Sequence, residues 1–174
     1  MKKRLTATLF TLLLATSALG LQAPASWTKF TSPAGRFSVM LPVEPKEEKE
    51  TKNDGGPLSP YTNTLYTAQG AGAVYLVGWT DYKPGVRIDV QGEIKANRDN
   101  FVKAIGATVS TEKPIKLGTH PGTEFVAENA QALFHVRVYV IGRRPYILVA
   151  LRPKGSQDPN ADKFFSSFTL TPAR

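Results

Sequence analysis

Ala132-Leu-Phe-His-Val-Arg-Val-Tyr-Val-Ile141, then Gly142-Arg143, then Arg144-Pro-Tyr-Ile-Leu-Val-Ala-Leu-Arg152 is the stretch that decides the fold. Two β-rich runs joined by a two-residue turn containing glycine are a β-hairpin signal. With Gly142 and Arg143 as the loop, Ile141 lies opposite Arg144, and Phe134, Val136 and Val138 face Leu151, Val149 and Ile147. Side chains alternate along a strand, so these six share one face. A one-residue slip would break the match, so the pattern specifies its own register. The other face carries His135, Arg137, Tyr139, Tyr146, Leu148 and Ala150, half apolar and half polar. The reading predicts a sheet core with one strongly buried face.

The mixed face is also the first candidate binding surface. His135, Arg137, Tyr139 and Tyr146 together suit a shallow pocket for an anionic or planar ligand, with Arg137 making the charge-assisted contact. The plainer alternative is an amphipathic sheet face partly covered by a long helix. Arg137 decides between them, because a guanidinium on a covered sheet must pair with a carboxylate or remain open to an anion. Glu93, Asp99 and Glu124 are the carboxylates within reach of the layout, and the paired arrangement is predicted.

Outward from the hairpin, the chain begins with a targeting pattern. Lys2, Lys3 and Arg4 form a positive region, Leu5 to Leu19 an apolar one, and Ala18-Leu-Gly20 and Ala23-Pro-Ala25 are small-residue cleavage patterns. The apolar run falls short of the roughly 20 residues needed to span a bilayer. Residues 1–25 therefore read as a secretory signal peptide, and residues 26–174 as one secreted or periplasmic domain. The chain has no cysteine, which removes disulfides, thiolate metal sites and lipid attachment through cysteine. Removing Lys2, Lys3 and Arg4 takes 22 basic residues to 19 against 14 acidic ones, a net charge of +5 instead of +8. That modest charge favours solubility and loose attraction to anionic surfaces. Nucleic acid is not a predicted partner of an exported protein.

Within residues 26–174, Trp27 to Phe30 is a short segment with alternating aromatics, Pro33-Ala-Gly35 supplies a turn, and Arg36 to Leu41 reads as a strand. Pro42 and Pro45 close that strand or hold it at a sheet edge. Glu44 to Lys52 suits an exposed edge strand or loop whose lysines discourage association. Asn53 to Pro60 is a loop. Tyr61 to Ala68 suits a strand, and Ala73 to Thr80, apolar on both faces, a central strand. Asp89 caps a long helix, Val90 to Ile105, with Val90, Ile94, Phe101 and Ile105 on one stripe and Gly106 ending it. Thr108 to Leu117 is a strand, Gly118 to Gly122 a turn, and Thr123 to Ala127 a strand. Asp158 is expected to cap a final short helix that begins at Pro159 and anchors through Phe164, Phe165 and Phe168. Strands, one helix, a strand meander and a closing helix predict an α+β domain, a mostly antiparallel sheet packed against helices.

Two segments carry a family resemblance. Gly35-Arg-Phe-Ser-Val-Met-Leu-Pro42 resembles the opening strand of PsbP-like proteins, and Ala161-Asp-Lys-Phe-Phe-Ser-Ser-Phe168 their closing helix running into a terminal strand. The order of elements between them is similar to that of the same superfamily. PsbP is the extrinsic subunit of the oxygen-evolving complex, and its relatives serve unconnected roles, mostly as binding or assembly factors. The resemblance implies a PsbP-like α/β/α sandwich; the non-catalytic expectation rests on the signal peptide, the single-domain layout and the missing catalytic constellations. No family ligand-binding motif is matched, so no functional residue is carried over.

Other constellations point less far. His120 with Glu124 has the makings of a base and its orienting carboxylate, or half of a metal site, but a base without a nucleophile is not a catalyst. Asp81 and Tyr82 end a central strand, where the carboxylate is expected to bond nearby backbone or Lys83. Ser110-Thr-Glu-Lys113 matches a Ser-x-x-Lys pattern in a strand, whereas the enzymes that use it place it on a helix. Arg143 and Arg144 at the hairpin tip, with Arg152 and Lys154 nearby, suit a basic patch for anionic lipid or polymer, or merely keep a turn and an edge solvated. No cofactor or metal is predicted. The leading expectation is an exported, non-catalytic binding or assembly accessory with an unknown protein or envelope partner. The alternatives are a hydrolase using His120 or His135, and a protein held peripherally on anionic surfaces by Arg143, Arg144 and Lys154.

Overall fold

The computed structural model describes residues 26–70 and 72–172; the predicted signal peptide lies outside them. The hairpin forms in the register its pattern specifies. Strands β8 (Ala132–Ile141) and β9 (Arg144–Pro153) pair Phe134 with Leu151, Val136 with Val149, Val138 with Ile147 and Ile141 with Arg144. Around them β3 (Lys46–Lys52), β4 (Tyr61–Gly70), β5 (Ala73–Tyr82), β6 (Thr108–Leu117) and β7 (His120–Glu128) complete a seven-stranded antiparallel sheet in the order β3-β4-β5-β9-β8-β7-β6. A second antiparallel sheet joins β1 (Thr28–Ser32), β2 (Phe37–Leu41) and β10 (Thr169–Leu170) in the order β1-β2-β10.

Helix α1 (Val90–Ala104) lies on the face of Phe134, Val136 and Val138, where Phe101 meets Phe125 and Phe134 at ring distances of 6.0 and 5.9 Å. Asp89 caps it, accepting from the backbone amides of Gln91 and Gly92. The mixed face is covered instead by the three-stranded sheet and helix α2 (Ala161–Ser167). Both expectations for that face are thereby corrected: α1 covers the other side, and both faces are buried. Phe37, Val39, Leu41, Phe164 and Phe168 pack over Tyr139, Tyr146, Leu148 and Ala150. The chain's termini thus supply the apolar cover that the mixed face needed, a contact between segments far apart in sequence.

The central strand β5 is covered on both sides, with Tyr75, Val77 and Trp79 in one core and Val74 and Leu76 against the other. At the edge, β3 exposes nearly every residue and carries ion pairs between Lys46 and Glu48 and between Lys52 and Glu50. Among the boundaries that depart from expectation, three bear on the candidate sites. The turn before β7 is confined to Gly118-Thr119, and His120-Pro121-Gly122 belong to the strand. Gly122 serves a close approach there, since a Cβ would overlap the carbonyl oxygen of Val138 and the Tyr139 ring. Helix α2 starts at Ala161 after Asn160, and the Asp158 carboxylate accepts the Tyr75 hydroxyl at 2.8 Å and the Asn160 amide at 2.9 Å. Strand β2 begins at Phe37, leaving Arg36 in the preceding turn. Among the described residues, no helix is long and apolar enough to cross a membrane.

Candidate functional site

The predicted pocket on the mixed face is filled by the protein's own side chains. Tyr139 is 4% and Tyr146 3% exposed. The Tyr139 ring lies parallel to that of Phe168, and the Tyr146 hydroxyl donates to the Gly35 carbonyl at 2.9 Å. Phe165 inserts beside His135, with ring centroids 4.5 Å apart, and beneath the Arg137 guanidinium at 4.7 Å. Burial raises the Tyr139 pKa, an effect that the Arg137 charge only partly offsets. These four residues do not line one open site.

Arg137 pairs with Glu124, as expected of a covered guanidinium. Glu124 sits directly across the ladder and accepts from Arg137 Nε at 2.5 Å. Its other oxygen lies 2.9 Å from Lys113 Nζ and 3.4 Å from His135 Nε2. Burial pushes the Glu124 carboxyl up, but Lys113, Arg137 and the neighbouring His135 outweigh it and hold the pKa below its ordinary value. His135 therefore meets a carboxylate already committed to two cations. Neither histidine hydrogen-bonds a Ser or Thr hydroxyl among the described residues. Ser110, at a bulge in β6, donates to the Val126 carbonyl and stands on a strand, not a helix. No group of three or more His, Cys, Asp or Glu that could hold a metal ion occurs among the described residues.

The basic patch drawn from Arg143, Arg144 and Lys154 is not one surface. Ten-residue β9 separates the tip from Lys154, a span of about 30 Å, and Lys154 faces Glu128 at 3.4 Å. Arg144 is not a free cation either. It pairs with Asp81, donates to the Ala34 carbonyl at 2.9 Å and stacks its guanidinium on Trp79 at 5.7 Å. Asp81 also accepts from Trp79 Nε1 at 2.8 Å, so its partners are Arg144 and Trp79, not Lys83. Tyr82 donates to Glu93, a buried α1 carboxylate that also accepts from the Asn97 amide. Burial first, and then Glu93, drive the Tyr82 pKa upward.

What the tip does possess is a cleft of about 400 Å³ lined by Arg36, Arg143, Arg144, Asp81 and Tyr146, with Ile141 and Leu170 as apolar wall. Arg36 comes from the turn after β1, and Arg143 from the β8–β9 turn. The first turn is bolted to β9, because Ala34 and Gly35 offer their carbonyls to Arg144 and Tyr146. Arg36 holds φ +54°, a left-handed conformation that costs a β-carbon residue about 1 kcal/mol or more. Its amide donates to Pro33 and its carbonyl accepts from Thr171, which fix the backbone and leave the side chain out of the account. Neither Arg36 nor Arg143 has an ion-pair partner among the described residues. Three guanidinium groups against the one Asp81 carboxylate make the cleft strongly positive. Forked, permanently charged donors of this kind suit carboxylate and phosphate oxygens. The sequence reading missed Arg36, whose only signal was an arginine following the turn glycine Gly35.

No protein-family model matches the chain, and no curated protein matches it. Among solved structures, cyanobacterial PsbP (CyanoP) from Synechocystis is similar with a TM-score of 0.54 over 89% of this chain and 98% of that one, at 9% identity. A protein from Bacteroides thetaiotaomicron is similar with a TM-score of 0.44 at 15% identity, over 83% of this chain and 48% of that one. The fold is PsbP-like, α+β with a mostly antiparallel sheet, and at such identity the likeness speaks to the fold alone.

Proposed function

We propose that this chain is an exported, non-catalytic binding or assembly module that receives an anionic group of its partner in the cleft of Arg36, Arg143 and Arg144. Export rests on the charged, apolar and small-residue regions of residues 1–25, whose cleavage releases residues 26–174 to the periplasm or the exterior. One observation carries the binding reading. Arg36 occupies a left-handed position where glycine would be less strained, and its guanidinium, like that of Arg143 in the same cleft, has no ion-pair partner among the described residues. Strain retained beside a cleft is a pointer to function. Arg144, anchored by Asp81, Ala34 and Trp79, gives the cleft a fixed cationic wall.

Calorimetric titration of the protein with inorganic phosphate and with citrate tests this. The expected result is saturable binding that weakens at least tenfold in Arg36→Ala and in Arg143→Ala, and that falls with added salt. No binding of either anion, or binding indifferent to both substitutions, would overturn the proposal.

A further inference from the structure

A second cleft lies at the opposite side of the covering layer, where α2 begins. It measures about 430 Å³ and is lined by Val126, Leu133, His135, Ala150 and Arg152 on the sheet and by residues at the start of α2 that include Asp158 and Asp162. Its floor is set by the sheet register. Val126, His135 and Ala150 form one row across β7, β8 and β9, and Leu133 and Arg152 the adjoining pair. Val126, Leu133 and Ala150 make that floor largely apolar.

The walls carry opposite charges that do not satisfy one another. Lys154 beyond the cleft faces Glu128, but Arg152 has no ion-pair partner among the described residues. Asp158 and Asp162 stand on the α2 side, likewise outside any ion pair among the described residues. Asp158 Oδ1 is occupied by Tyr75 and Asn160, whereas Oδ2 is buried without a hydrogen-bond partner among the described residues. A buried carboxylate oxygen left unsatisfied calls for an explanation, and a bound water, ion or ligand supplies one. The cation and the two carboxylates share one cleft yet stay too far apart to pair. A molecule bearing both charges would bridge them.

We infer that this cleft binds a free α-amino acid with an apolar side chain. The carboxylate lies against Arg152, the ammonium against Asp158 and Asp162, and the side chain over Val126, Leu133 and Ala150. Each end supplies a charge-assisted hydrogen bond and the floor adds apolar contact. The site is separate from the arginine cleft and does not rest on it.

Calorimetric titration of the protein with leucine, valine and phenylalanine tests the inference, with N-acetylleucine lacking the ammonium and leucinamide lacking the carboxylate. At least one amino acid is expected to bind saturably at one site, and both leucine derivatives at least tenfold more weakly than leucine. Arg152→Gln should weaken the amino acid at least tenfold, and Asp162→Asn should narrow the preference for leucine over N-acetylleucine. Arg36→Ala should leave all of this unchanged. Both Arg152 and Asp162 lie outside the buried core, and unchanged melting temperatures would confirm that their variants fold. No saturable binding of any of the three, equal binding of leucine and its derivatives, or indifference to Arg152→Gln would overturn the inference.

Discussion

Glu124 on β7 and Arg137 on β8 stand directly opposite each other in the sheet, and the guanidinium donates to the carboxylate at 2.5 Å while lying over the Phe165 ring. The pair lies in a covered layer, so it is structural. Arg137→Ala leaves Glu124, 8% exposed, with only Lys113 and His135. Losing a hydrogen bond to a charged group costs about 1.5–3 kcal/mol. Urea denaturation should therefore show a lower midpoint with an unchanged slope. A midpoint equal to wild type would show that the pair contributes nothing.

The same carboxylate sets an acid limit. Its folded pKa lies below the ordinary value of 4.5, so its contribution is fully present above about that pH and is lost as pH falls through the lowered value. Wild-type stability should drop between pH 4.5 and pH 3 by more than that of Glu124→Gln. Parallel curves for the two proteins would refute this assignment.

At the alkaline end the sign reverses. Burial, reinforced by Asp158 and Glu93 respectively, raises the pKa of Tyr75 and Tyr82 above 10.0. The unfolded chain ionises first, so stability is full below pH 10 and declines as pH rises past it. Absorbance titration of the native protein should show these phenols ionising well above those of the urea-unfolded chain. Superimposed curves would contradict the burial.

Val136 is fully buried between Phe125 across one ladder and Val149 across the other. Val136→Asp places a carboxylate there without a partner, at a cost of several kcal/mol or forced protonation, and should prevent stable folding. His135→Gln, next along the strand and partly exposed, should be mild by comparison. Equal melting temperatures for Val136→Asp and wild type would refute the register.

How much of this was legible in the sequence follows from the range of each interaction. The hairpin register was readable because Phe134, Val136 and Val138 repeat with the strand period against Leu151, Val149 and Ile147. The α1 boundaries were readable because Asp89 and Gly106 are local signals. Glu124 could be named as a partner for Arg137 because the two segments are neighbours in a meander. The cover over Tyr139 and Tyr146 could not be seen, since it comes from Phe37 and Phe168, about a hundred and about thirty residues away. The arginine cleft was half visible. Arg143 and Arg144 advertised themselves at a turn, but Arg144 folds back on Asp81, and Arg36 arrives from the opposite end of the chain. Lys154 looked close in sequence only because an extended strand hides how far it reaches.

Arg36 is the residue on which the cleft's binding role turns, and Arg36→Gly isolates its side chain from its backbone. Glycine relieves a left-handed strain of about 1 kcal/mol and adds unfolded-state entropy worth about 0.4–1 kcal/mol, so the two nearly cancel. Melting temperature and phosphate affinity measured on the same preparation should then separate: stability close to wild type, and binding weaker by at least tenfold. A large fall in melting temperature with phosphate affinity intact would make Arg36 a structural residue and contradict the binding role of the cleft.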